Sequence, residues 1–276
     1  MTGPPNLLLA FPELPACLAI MLACALRGLW VPRDQWRCNW MMIAAAVQVP
    51  LQIFIVEVLS GLSLLRPLKY DLYLYRVDAM FGQPSFILGA FSRHHAWFAD
   101  AMILAYSQLV ILMMIALAVQ LWTKPKREAV CALIAFAITF PAAVPFYLLL
   151  PVAGPRYAFP EFPSLPAVVT PHLIPLTAAP NGFPSIHMAT AMLVFWYLRE
   201  SRWGKFVGGG FAILTALATM ASGQHYFVDL IFAAPYAVLM VRIAGRLIQL
   251  RDKDERSPAA AATTSALHGP NIQATD

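Results

Sequence analysis

What most constrains this chain is a series of apolar stretches, each close to the roughly 20 residues that a helix needs to cross a bilayer. They run over about 7–29, 39–60, 97–122, 129–151, 185–199, 205–222 and 227–249. A segment in lipid must satisfy its own backbone donors and acceptors, and for runs of this length that means helices. Charge agrees: 12% of the residues are charged and the mean hydropathy is +0.66, whereas soluble chains carry about twice that charge. The expected fold class is all-α, a polytopic membrane helix bundle of about seven transmembrane helices. Pro12, Glu13 and Pro15 interrupt the start of the first stretch. The fifth is short, as fits a helix whose N-terminus is sunk into a protein-lined cavity.

Two connecting segments are too long and too structured in composition to be simple turns. Arg66 to Trp97 is too polar to cross a membrane. It reads as one or two amphipathic interfacial helices (66–96), with Tyr70, Tyr73, Tyr75 and Trp97 at headgroup depth. Residues 152–184 are rich in proline and lack periodicity, which predicts a structured loop. After Arg251 the chain becomes charged and then Ala/Thr-rich, so 251–276 reads as a disordered cytoplasmic tail. Residues 1–38 read as an added transmembrane helix with its basic loop, ahead of a core over 39–250. The N-terminus has no basic segment before its apolar run, so no cleaved signal peptide is expected.

Of the 19 Lys and Arg residues, Arg66, Lys69, Arg76, Arg93 and Arg156 fall on one side of the expected bundle and all others on the opposite side. Positive residues mark the cytoplasmic side, which places the C-terminus inside and the N-terminus outside. The net charge of +5 is dispersed over short loops, which argues against a nucleic-acid partner. Cys17, Cys24 and Cys131 lie in apolar runs and Cys38 in a basic loop, with no spacing that suggests zinc.

The chemistry concentrates in two stretches, Asn181-Gly-Phe-Pro-Ser-Ile-His187 and Gly223-Gln-His-Tyr-Phe-Val-Asp229. Pro184 and Ser185 read as a helix start, which puts His187 in a first turn where free N–H groups favour an anion such as phosphate. His225 and Asp229, four apart, share one helix face, where a carboxylate holds one imidazole nitrogen as N–H and leaves the other free. Arg156 is the only Lys or Arg in 152–184, and its planar fork suits phosphate oxygens. By the sidedness above, all four lie at the outer face. These are parts for phosphoryl transfer. The rival readings are a transporter whose His–Asp pair relays protons and a non-catalytic scaffold that uses the pair structurally. A metal site built from His187, His225 and Asp229 lacks a supporting HExxH or carboxylate bridge, so neither metal nor cofactor is expected.

Pro184-Ser-Ile-His187 followed by His225-Tyr-Phe-Val-Asp229 resembles the second and third signatures of the type-2 phosphatidic acid phosphatase superfamily. The HYxxD form and Tyr75-Arg-Val-Asp-Ala-Met-Phe-Gly82 look like its inositol phosphorylceramide synthase-like (inositolphosphotransferase) branch. The likeness covers roughly residues 66–235. It implies a six-helix catalytic core and metal-independent cleavage of a phosphoester or pyrophosphate of a lipid through a phosphohistidine. His225 would be the nucleophile, Asp229 its orienting partner and His187 the general acid. Arg156, with Ser185 at the helix start, would hold the phosphoryl oxygens. The implied partner is a lipid phosphate or phospholipid in the bacterial inner (plasma) membrane, with the site facing the periplasm or exterior. Where the family has lysine, glycine and Ser-Arg, this chain has Leu149, Ile186 and Ala218-Thr219. Two cationic phosphate ligands are thus absent from their usual places. Either Ser185 and the helix N–H groups carry more of the anion, or a basic residue of the 66–96 segment folds over the site.

Overall fold

The computed structural model describes residues 67–166 and 169–255, together with scattered helical positions between 19 and 58. Most of the first two expected spans and the tail beyond 255 lie outside the described residues. The remaining architecture is helical. A short strand β1 (Leu68–Lys69) leads into α1 (Asp71–Asp78), a 3-10 turn (Ala79–Phe81), α2 (Pro84–His94), α3 (Ala96–Ser107) and α4 (Leu109–Thr123). Then come α5 (Lys126–Thr139), a second 3-10 turn (Pro141–Ala143), α6 (Val144–Leu149) and α7 (Pro155–Ala158). Strand β2 (Ile174–Pro175) precedes three long helices, α8 (Ile186–Leu198), α9 (Arg202–Ala221) and α10 (Phe227–Glu255).

Two helices, Arg202–Ala221 and Phe227–Arg251, are long and apolar enough to cross a membrane. There are up to four such spans if each of two bent pairs counts as one, among the described residues. The expected span over 97–122 is α3 and α4 meeting at 42° about Gln108, and that over 129–151 is α5 with the segment to Leu149, also bent by 42°. The second bend has a covalent cause. Pro141 has no N–H to continue the ladder of α5, and its ring pushes the chain into a tighter turn. Helix α8 is shorter, 13 residues or about 20 Å. Ile103 and Leu104 of α3, Ile213 of α9 and Phe232 of α10 point out of the bundle. Such a belt of large apolar side chains suits acyl chains and would be a liability against water. Trp122 and Trp203 are exposed at one end of the bundle and Trp97 at the other, the amphipathic positions that tryptophan takes at membrane interfaces.

The main core is shared by α4, α5, α8, α9 and α10, centred on Met113, Phe136, Leu193, Val194 and Met240. A second, aromatic cluster seats α1 and α2 on the site loops: Tyr75, Phe86, Phe159 and Phe162 meet edge-on or tilted at centroid distances of 4.8–5.3 Å. Two helices, α1 and α2, occupy the segment read as interfacial, and Tyr75 does not take the exposed position expected of a headgroup anchor. It is 8% exposed and belongs to this cluster, because its position on α1 turns it toward Phe86 and Phe159. Tyr73, two residues earlier, is the one exposed. The loop over 152–184 is stitched to the same segment, since β1 pairs antiparallel with β2 through Leu68–Pro175 and Lys69–Ile174. Helix α10 runs on to Glu255, past the expected core boundary at 250, because Leu250-Arg-Asp-Lys-Asp-Glu255 contains no helix breaker.

Candidate active site

Three chain segments meet at one end of α8, α9 and α10. The first is the turn Asn181–Ser185 that starts α8. Ser185 has extended backbone and its hydroxyl accepts the Met188 N–H at 3.3 Å, so it caps the helix as its residue type predicts. His187 follows in the first turn, half-buried, with its ring stacked on Tyr106 of α3 at 4.4 Å. The second segment is the turn from α9 into α10. Gly223 takes a positive φ of 70° there, and the N–H groups of Gln224 and His225 both return to the Thr219 carbonyl. His225 is 4% exposed. Its ring centroid lies 6.0 Å from that of His187. Two imidazoles from motifs far apart in the chain thus come together.

The His225 Nδ1 is 2.8 Å from the Gly182 carbonyl and 3.6 Å from Asp229 Oδ2. The carbonyl, which can only accept, takes the Nδ1–H and leaves the lone pair on Nε2. Asp229 stands behind this bond, fully buried. Its Oδ2 accepts the Tyr226 N–H at 2.8 Å, and its Oδ1 has no hydrogen-bond partner among the described residues. Burial holds the His225 imidazole down to about 4, with the Gly182 carbonyl pulling weakly the other way. The ring is therefore neutral at pH 7.

The third segment is the loop carrying Arg156. Gly154 has φ 107°, and a methyl group there would lie 2.2 Å from the Gln224 carbonyl oxygen, so only glycine lets this loop approach the His225 turn. The Arg156 N–H then donates to Gly223 O at 2.9 Å, and its side chain is exposed. The loop also meets the α8 turn, where the Gly182 N–H donates to Val152 O at 2.7 Å. The backbone of Arg156 is thus fixed two residues from His225 by contact with Gly223.

Leu149 ends α6 with 69% of its surface exposed, and Thr219 is buried with its hydroxyl bonded to the Thr215 carbonyl. Of the basic residues described in the 66–96 segment, Arg76 and Arg93 are exposed, and Arg93 donates to the Phe162 carbonyl. Lys69 is fully buried beside Asp71. Burial pushes its ammonium down from the ordinary lysine value, and Asp71 acts in the opposite direction. His94 and His95 are exposed at the end of α2, away from a site role.

The sequence motifs do not reveal a set of contacts made by α1 and α2. Asp71, fully buried, accepts the Gly154 N–H at 2.7 Å, the Ala153 N–H at 3.0 Å and the Tyr226 hydroxyl at 3.3 Å. Asp78, also fully buried, accepts the Val228 N–H at 2.9 Å. The Ser85 hydroxyl donates to the His225 carbonyl at 2.9 Å. Asp71 and Asp78 are seven apart, two turns on one face of α1, and that spacing was the available signal; Ser85 lies beyond the break at Gly82 and Gln83, in the first turn of α2. Burial pushes Asp71 up to about 6 against the pull of its four hydrogen-bond donors, and raises Asp78 for the same reason. Among the described residues no group of three or more His, Cys, Asp or Glu is placed to share a metal ion.

Neither the curated proteins nor the solved structures yield a match to this chain. A family model, that of the PAP2 superfamily, matches residues 72–243. The matched region runs from α1 to α10 and contains all three segments of the site. It is more than half of the 276 residues, and on that match the chain belongs to the PAP2 superfamily.

Proposed function

We propose that this protein is a membrane-embedded lipid phosphatase or phosphotransferase that cleaves a phosphoester through a phosphohistidine at the non-cytoplasmic face. The observation that carries the reading is the His225 ring, buried and neutral, with its Nδ1–H fixed by Gly182 and its free Nε2 lone pair beside His187. In the first step Nε2 attacks phosphorus and the bond from phosphorus to the alcohol oxygen breaks. His187 gives its proton to the departing alkoxide, and a phosphohistidine and a free alcohol result. In the second step a water or an acceptor alcohol gives its proton to His187 and attacks phosphorus, and the N–P bond breaks to restore His225. The positive charge that builds on His225 is met by Gly182 O and by Asp229 at 3.6 Å. Ser185 at the helix start and Arg156 on the adjoining loop are the proposed ligands of the phosphoryl oxygens. The segment Tyr75–Gly82 and the HYxxD form support placement in the inositol phosphorylceramide synthase-like branch, in which the acceptor is an alcohol.

The test is phosphate release by the purified protein from a panel of lipid phosphates, with and without added inositol or other alcohols. Release without alcohol marks a phosphatase, and transfer to an alcohol a phosphotransferase. No turnover of any lipid phosphate or phospholipid sinks the reading. The chemistry asks nothing of a metal, so activity should survive EDTA and dialysis. Loss of activity that returns with one divalent ion would replace the phosphohistidine with a metal hydrolase.

A further inference from the structure

We infer that Asp71, Asp78 and Ser85 are positioning residues, and that the segment from Asp71 to Ser85 is the template on which the Arg156 loop and the His225 turn are set. This rests on the function proposed above. Both join longer helices, and the single turn α7 is the regular piece that carries Arg156. Asp71 joins them directly. Its carboxylate takes two N–H groups of the Arg156 loop, at Ala153 and Gly154, and the hydroxyl of Tyr226, the residue after His225. Asp78 takes the Val228 N–H and Ser85 donates to the His225 carbonyl, so the segment from His225 to Val228 is gripped from outside at three points. A carboxylate that accepts several N–H groups at 2.7–3.0 Å fixes backbone more firmly than a neutral acceptor. Full burial of both acids keeps water from competing.

The two acids have different duties. Asp71 sets the loop that carries Arg156 and so governs how phosphate is held. Asp78 and Ser85 set the start of α10 and so govern the aim of His225. Generic loosening of the fold would damage both properties together, whereas positioning separates them. The experiment compares Asp71→Asn and Asp78→Asn, which keep side-chain size, with Tyr226→Phe and Ser85→Ala, which remove one bond each and leave the carboxylates in place. Inorganic phosphate serves as the binding probe and an aryl phosphate as substrate.

Asp71→Asn is expected to raise the inhibition constant of phosphate by about tenfold, and Tyr226→Phe to reproduce part of that rise. Asp78→Asn is expected to lower kcat by about tenfold or more while phosphate inhibition changes less than about twofold, with Ser85→Ala following it more weakly. Amide exchange should rise over 152–158 in Asp71→Asn and over 225–230 in Asp78→Asn, and stay unchanged across α4. Equal loss of binding and kcat in both acid variants overturns positioning in favour of a structural role, as does raised exchange with kinetics intact. If an acid variant does not fold, its one-bond partner decides: an unchanged constant in Tyr226→Phe, or an unchanged kcat in Ser85→Ala, overturns the corresponding half. If the wild type turns over no phosphate ester, the phosphatase reading fails, and exchange alone still judges the tethers. Unchanged exchange in both acid variants ends the inference.

Discussion

At the residue scale the site is an arrangement of two imidazoles in unlike surroundings. His225 is buried and its ordinary value near 6.5 is depressed to about 4. A depressed value means that the imidazolium is the disfavoured form, so the ring stays neutral as pH falls through 6 and takes its proton only near 4. An imidazole NMR titration of the protein, assigned with His225→Ala, should show that midpoint; a midpoint near 6.5 would mean that the ring is open to water. The roles of the two rings separate by leaving group. His225→Ala should abolish turnover of alkyl and aryl phosphates alike. His187→Ala should lose about 10²–10⁴-fold on alkyl phosphates, whose alkoxide needs a proton, and keep much of the rate on nitrophenyl phosphate. Equal losses on both substrates would make His187 a phosphate ligand instead. The His–His–Asp set was legible in the sequence because each motif is short, local and set at a helix start. The Gly182 bond was not, because a backbone carbonyl 43 residues away has no sequence signature. Asp71 and Asp78 were written at a spacing of seven, but in a segment whose aromatic residues read first as membrane anchors.

At the element scale the packing of α8 on α9 decides whether the His187 end of α8 stays in place. Gly208 is the contact point: a methyl group there would lie 2.8 Å from the Cα of Phe195, and backbone cannot yield as a flexible side chain can. Gly208→Ala should therefore push the two helices apart and cost about 1–3 kcal/mol, read as a lower melting temperature in detergent. Gly210→Ala is the control, since nothing lies within 4 Å of the added carbon, and alanine favours helix over glycine by about 1 kcal/mol. Equal destabilisation by both would show that glycine is needed here for something other than close approach. A close helix contact at Gly208-Gly-Gly210 was readable, because glycine within an apolar run lets helices meet at the backbone, though only Gly208 makes it. The positions of the apolar runs were readable for the same kind of reason, since length and hydropathy follow from the bilayer itself. The bends were not. Gln108 carries no breaker, and Pro141 stands within a run whose composition continues through it to Leu149.

At the scale of the whole molecule, the two ends of the bundle differ in kind. One end gathers His187, His225, Arg156 and the buried acids of α1. At the other, where α4 and α8 finish, Lys124 pairs with Glu200 and the Arg199 guanidinium lies 3.5 Å over the Trp196 ring. Helix α8 alone separates these ends by about 20 Å. The described basic residues divide in the same way: the site end holds Lys69, Arg76, Arg93 and Arg156, and the opposite end the larger number, from Lys124, Lys126 and Arg127 to Arg246 and Arg251. Because Lys and Arg resist translocation, the orientation we propose puts the richer end in the cytoplasm and opens the site outward. Two exposed positions test this, Glu161 in the turn after α7 and Lys126 at the start of α5. In a background without native cysteines, Glu161→Cys should react with a membrane-impermeant thiol reagent added to intact cells. Lys126→Cys should react only after the membrane is opened. The reverse pattern would turn the bundle over and put the phosphate chemistry in the cytoplasm. Labelling of both in intact cells would mean that the chain does not separate two compartments at all.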